Sequence, residues 1–149
     1  MGFFSRTREV SEDYMPTRAT AAIYSDPKER EWYVQDLAAM DAVITSAIPE
    51  SESVVAMLLY DRGAVFVLTP TRLLLFRQAL MSSKARLAKQ AMLSEIRSVH
   101  VGRLTGPVRV AIDGPQGLNG IQYGTPKTDM EPARQFFSHV LAARDKLAG

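Results

Sequence analysis

The sequence predicts an α+β domain in which seven short strands lie between two helices. Two observations carry this expectation. Apolar residues recur at helical spacing near the two ends of the chain, from Tyr33 to Ile48 and from Ala133 to Leu147, which is the pattern of amphipathic helices. Between them the densest apolar stretch, VFVLTPTRLLLFR from Val65 to Arg77, has Pro70 near its centre. Proline removes a backbone donor and fixes φ, so it suits the second position of a turn and breaks a helix interior. The stretch is also too short, and too charged at Arg72 and Arg77, to span a bilayer, which takes about 20 apolar residues. It therefore reads as two strands folded back on each other. Both are apolar on both faces, which implies cover on both sides.

Residues 1–24 read as a flexible tail. They are polar and mixed in charge, and Phe3 and Phe4 are their one strongly apolar pair. A helix is expected over 27–47, within a segment 25–49. Asp26 is placed as its N-cap, Pro27 at the first helical position, and Glu29 completes a capping-box spacing. Tyr33, Leu37, Met40 and Ile44 form one stripe, and Pro49 ends the helix. Residues 50–149 then form the main domain. Glu52–Asp61 is a strand candidate, and Asp61-Arg62-Gly63 supplies a turn with glycine where positive φ is expected. The two runs around Pro70 follow. Lys84–Leu93 alternates imperfectly and reads as strand or helix. RSVHVGR (Arg97–Arg103) and VRVAI (Val108–Ile112) alternate well, and Gly120–Tyr123 offers a last short strand. The closing helix has Thr128 and Glu131 at capping-box spacing, then Ala133, Phe136, Phe137, Val140, Leu141 and Leu147 on one face.

The composition is that of an ordinary globular protein, 46% hydrophobic and 23% charged. With no cysteine, disulfides, thiolate metal sites and cysteine nucleophiles are excluded. MGFFSRTREV has no apolar signal core, and Arg6 stands where a myristoylation signal needs Ser or Thr. A cytoplasmic protein is expected, resting at most peripherally on a membrane. The net charge is +2 but unevenly spread. Residues 1–61 hold eleven acids and five bases, whereas Arg72–Ile112 holds eight bases and one acid, Glu95. The two halves can attract each other within or between chains, or the basic half can meet an anionic surface.

Catalytic and metal chemistry find no footing. His100 and His139 have no Cys, His or paired carboxylate at ligand spacing. Gly114, Gly117, Gly120 and Gly124 lie between short strands and do not lead into a helix as a phosphate cradle requires. No serine sits in Gly-x-Ser-x-Gly. No catalytic, metal or cofactor-binding residue is assigned, and no cofactor is expected. The basic run Arg77, Lys84, Arg86 and Lys89 is the candidate face for an anionic partner. Its alternative is a set of solvated strand edges on which charge blocks edge-to-edge aggregation. No aromatics interleave with these bases, and the net charge is small, both of which argue against nucleic acid. The stripe Tyr33, Leu37, Met40 and Ile44 is a candidate assembly surface, because it must be buried on its own domain or on a neighbouring copy.

The stretch GAVFVLTPTRLLLF, Gly63–Phe76, resembles the glycine, apolar strand, Thr-x-x-Arg-Leu turn and apolar strand typical of bacterial pleckstrin-homology-like and GRAM-like domains. LSEIRSVHVG (Leu93–Gly102) is similar to the next hallmark of that group. EPARQFF (Glu131–Phe137) resembles the start of its closing helix. The resemblance spans residues 52–147 and leaves out the N-terminal helix. It implies a seven-stranded antiparallel barrel or sandwich capped by a C-terminal helix, acting as a non-enzymatic binding or assembly module. Bacterial members often form rings through paired strand edges. Eukaryotic relatives read phosphoinositides with a basic first hairpin loop. Here that loop is only Asp61-Arg62-Gly63 and lacks the basic pattern. The functional expectation is a module that works through protein–protein contacts, including self-association. The alternative is peripheral binding of anionic membrane lipid through the basic face.

Overall fold

The computed structural model describes residues 22–28, 30–61, 63–78, 84–114, 118 and 120–149, and within its first helix the side chains from Leu37 onward. Its elements are β1 (Ala22–Ser25), α1 (Arg30–Ala47), β2 (Ala56–Asp61), β3 (Ala64–Leu68), β4 (Arg72–Gln78), β5 (Ala85–Met92), a 3-10 turn (Leu93–Glu95), β6 (Ser98–Gly102), β7 (Val108–Asp113), β8 (Ile121–Tyr123) and α2 (Glu131–Ala148). All seven expected strands are present as β2 to β8, and Lys84–Leu93 resolves as the strand β5. They form two sheets, β1-β2-β3-β4-β5 and β6-β7-β8. No ladder joins the two sheets among the described residues, so the architecture is an open sandwich and not a closed barrel.

β2, β3 and β4 are buried along nearly their whole length, because each of their faces has its own cover. On the inner face Leu58, Tyr60, Phe66, Leu68, Leu73 and Leu75 join the second sheet and the α2 residues Phe136, Phe137 and Val140 in one core. Phe66 and Phe137 meet edge-on, as do Phe136 and Phe137, the geometry that ring quadrupoles favour. On the outer face Met57, Leu59, Val65, Val67, Leu74 and Phe76 pack under Leu37, Met40, Ile44 and Ile48 of the α1 segment. Burying those four side chains contributes about 1.5–3 kcal/mol each before ordering costs.

Two expectations at the N-terminus need correction. The tail expected through residue 24 gives way to a strand at Ala22, which pairs with β2 in parallel, Ala22 with Ala56 through Ser25 with Leu59. A parallel neighbour requires a long crossover, and α1 supplies it. The helix also starts at Arg30, later than the expected 27. Asp26, expected as its cap, is buried, and its carboxylate accepts from the backbone N–H of Lys28 (2.9 Å) and from that of Asp129 (3.1 Å). It thus closes a local turn and ties β1 to the start of α2. Glu29, the expected partner of the capping box, lies outside the described residues. At α2 the expected cap Thr128 instead accepts from the N–H of Thr125 (2.8 Å), and the Asp129 carboxylate receives the N–H of Glu131 (3.0 Å).

The hairpins follow their turn residues. Gly63 takes φ +69°, the left-handed region open to glycine, in the two-residue link between Asp61 and Ala64. At the Thr69–Arg72 turn the Thr69 N–H donates to the Arg72 carbonyl at 3.0 Å, with Pro70 at the second position. The Thr69 hydroxyl oxygen accepts from the N–H groups of Thr71 and Arg72 and donates to Glu52 Oε2 at 2.7 Å. Arg72 meets the same carboxylate with two nitrogens, Nη2 to Oε1 at 2.7 Å and Nε to Oε2 at 2.9 Å. It also donates to the Ala47 carbonyl at the end of α1 (3.1 Å) and to Gln90 Oε1 on β5 (2.7 Å).

The ion pair is mostly buried, with side chains 18% and 15% exposed. The Arg72 hydrogen bonds hold the Glu52 carboxyl below the usual range, against the opposing effect of burial. Because the folded-state value is depressed, the pair's stabilisation is full above the unfolded value, about 4.3. It is lost as pH falls below that. Glu52→Gln is expected to cost about 1.5–3 kcal/mol at pH 7 and to flatten the acid limb of stability below about pH 4.3. Urea unfolding at pH 7 and pH 3 measures both, and an unchanged acid limb would remove the pair from this role. Ile44→Ala is expected to cost about 2–5 kcal/mol, by the same amount at low and high protein concentration. A loss that depends on concentration would mean that the helix covers a neighbour's sheet.

Candidate functional site

The basic face expected from the sequence is built by the β4–β5 ribbon. Arg77 and Arg86 are cross-strand partners, and Lys89 stands opposite Leu75. A bulge between Leu75 and Phe76 inserts one extra residue into β5. Three positions separate Arg86 from Lys89, and strict alternation would put them on opposite faces. The inserted residue returns Lys89 to the side shared by Arg86 and Arg77. Lys84 immediately precedes β5 and is exposed, as are Arg77, Arg86 and Lys89. The intervening residues 79–83 lie outside the described residues.

Like charges directly opposite one another in an antiparallel pair destabilise it. The Arg77–Arg86 pair is therefore a place where an anion would relieve repulsion. One partial relief is internal: the Arg77 guanidinium carbon lies 6.0 Å from the centroid of the Tyr60 ring, within cation–π range. The Tyr60 phenol oxygen is buried without a hydrogen-bond partner among the described residues. Burial pushes this phenol above the usual tyrosine range, and the Arg77 charge works in the opposite direction.

The second predicted surface, the α1 stripe, faces inward. Leu37 and Met40 are fully buried and Ile44 nearly so, all against the outer face of the chain's own sheet. The side chain of Tyr33 lies outside the described residues.

The later arginines divide by role. Arg97 pairs with Asp113 at 3.0 Å on the surface. Arg103 donates to the carbonyls of Pro126 and Thr128, and Arg144 to those of Ile96 and Arg97. These two hold chain segments together. Arg109 remains exposed at the centre of the second sheet, between Gly102 and Gln122. It lines a concavity of about 770 Å³ that sequence reading missed, because its walls come from three strands and α2. A second concavity of about 590 Å³, lined by Val55, Pro70, His139, Ala142, Ala143 and Leu147 with Lys146, is largely apolar. His139 Nε2 there shares a 2.6 Å hydrogen bond with the Tyr24 hydroxyl. Among the described residues no cluster of three or more His, Asp or Glu side chains could hold a metal ion. No helix of the described residues is long and apolar enough to cross a membrane.

Two open sheets stacked face to face and capped by one C-terminal helix define the class of fold to which this chain belongs. The chain matches no protein-family model and no curated protein. Among solved structures it is similar to a pleckstrin homology domain from Shewanella amazonensis SB2B, with a TM-score of 0.50 and 15% sequence identity over 71% of this chain and 98% of that one. A DUF1696 family protein with a pleckstrin-homology domain from Shewanella loihica PV-4 aligns with a TM-score of 0.47 and 14% identity, over 70% of this chain and 96% of that one. The fold is pleckstrin-homology-like.

Arg86→Glu is expected to turn the Arg77 pairing from repulsive to attractive and to raise stability by a few tenths to about 1 kcal/mol. Thermal unfolding at low salt measures the gain, and added salt should shrink it. An unchanged or lower midpoint at low salt would show that the two guanidinium groups do not repel.

Proposed function

We propose that this chain is a non-catalytic, cytoplasmic binding module that acts through protein–protein contacts, including self-association, along the outer edge of β5. One observation carries the reading. β5 is the longest strand and pairs only with β4 among the described residues. An edge strand presents unpaired N–H and C=O groups, which a strand from another chain can complete. The α1 stripe is already covered by the chain's own sheet, so the edge is the more available of the two assembly surfaces. The basic side chains beside it, Arg77, Lys84, Arg86 and Lys89, would select an acidic or polar partner strand and resist unselective stacking.

The test is mass by light scattering over a range of protein concentration, read together with amide exchange. Oligomers should form as concentration rises, and amides of Ala85–Met92 should gain protection with them. A monomer at every concentration, with unchanged exchange in β5, would sink the proposal.

The directly opposed Arg77 and Arg86, with Lys89 on the same side, favour a second reading in which this face meets anionic lipid. Sedimentation with phosphatidylserine vesicles should then fall steeply with salt. It should also fail in a variant with all four bases reversed in charge. Equal sedimentation of wild type and variant would dismiss the lipid reading.

A further inference from the structure

We infer that the outer face of the second sheet, centred on Arg109, docks an acidic protein segment. This inference rests on the reading of the chain as a protein-binding module and names the partner chemistry of a face separate from the β5 edge.

The concavity there holds about 770 Å³ and is lined by three arginines, Arg103, Arg109 and Arg134, together with His100 and Gln122. No Asp or Glu lines it. Arg134 is already paired with Glu131 at 2.9 Å, and Arg103 is turned to the carbonyls of Pro126 and Thr128. The Nε of Arg103 is buried with no hydrogen-bond partner among the described residues. The side chains of Arg109 and His100 make no hydrogen bond or ion pair among the described residues.

The register sets these groups in a row. Arg109 on β7 stands between Gly102 of β6 and Gln122 of β8. A Cβ on Gly102 would come within 2.9 Å of His100 Nε2, so the imidazole lies over that glycine and is brought beside Arg109. Donors of His100, Arg109 and Gln122 thus run across three strands, roughly 10 Å at the usual interstrand spacing. Two carboxylates two residues apart on an extended segment point to one side about 7 Å apart, so both fall within that row. Ala111, opposite His100, and Gly102 keep the floor low. At the rim Leu104 is fully exposed on the β6–β7 hairpin and offers an apolar contact beside the charges. A guanidinium is suited to paired recognition of carboxylate oxygens, and charge complementarity selects the acidic partner.

The test uses the full chain and a fluorescent synthetic peptide of alternating acidic residues and leucine, with a serine-for-acid peptide as control. Binding followed by anisotropy should appear with the acidic peptide only and weaken as salt rises. Arg109→Glu should reduce affinity about tenfold or more, and Lys146→Glu, an exposed charge reversal near the end of α2 and away from both basic faces, should leave it unchanged. Gly102→Ala, which keeps every charge but displaces the His100 ring, should reduce it a few-fold. Matching thermal midpoints confirm that the variants are folded. No binding of the acidic peptide overturns the inference, as does an equal loss in the Lys146 variant. Phosphatidylserine vesicles that bind through Arg109 while the peptide does not would overturn it too, in favour of a lipid. Self-association measured on the same samples separates the two proposals. If it persists without peptide binding, only the inference falls.

Discussion

The pairing of Arg72 with Glu52 is the constraint on which much of this fold depends. Arg72 opens β4 directly after the Pro70 turn. From that one position its guanidinium reaches the loop before β2, the last carbonyl of α1 and a side chain of β5. The Thr69 and Thr71 hydroxyls donate to the same carboxylate. The turn that reverses the chain and the clamp that fixes the helix over the sheet are thus one hydrogen-bonded knot. A pair this poorly exposed would be costly if either member were left alone, and here both are satisfied by several partners. Such satisfaction favours a single docking position for α1 over many alternative ones.

That docking position gives the central sheet its character. A strand with both faces covered loses the polar alternation that marks a solvent-facing sheet, and β3 is buried at every residue. Each of β2, β3 and β4 sends alternate side chains into two separate cores. The second sheet and α2 close one core, and α1 closes the other. Polar and charged groups are left to the ribbon of β4 and β5 and to the outer face of β6, β7 and β8. Both of these surfaces are rich in arginine and lie outside the two cores.

The parts of the fold governed by local chemistry could be read in the amino-acid order. Proline at 70 and glycine at 63 act within a few residues of themselves, so the hairpins fell where expected. The run Val65–Phe76, apolar on both faces, correctly implied cover on two sides. What depended on distant partners could not be read. Asp26 looks like a helix cap, yet its carboxylate is claimed by a backbone N–H 103 residues away, and the helix begins later. AIYS is too short to announce a strand, and a parallel ladder has no turn signature to betray it. The charges of Arg77, Arg86 and Lys89 were plain, but their common side depends on an inserted residue in β5 that no periodicity reveals. The row of His100, Arg109 and Gln122 arises only when three strands are laid side by side.

The parallel joining of β1 to β2 carries a kinetic implication. The N-terminal arm is sewn on at two places, once as a ladder beside β2 and once as a helix across the sheet, with the Asp26 carboxylate as an extra stitch to the start of α2. To leave, this arm would have to unzip main-chain bonds and expose an oily plane in a single event. Trading arms between copies would therefore be slow and would run through a substantially opened molecule, so fresh and aged preparations of the protein should carry the same arrangement.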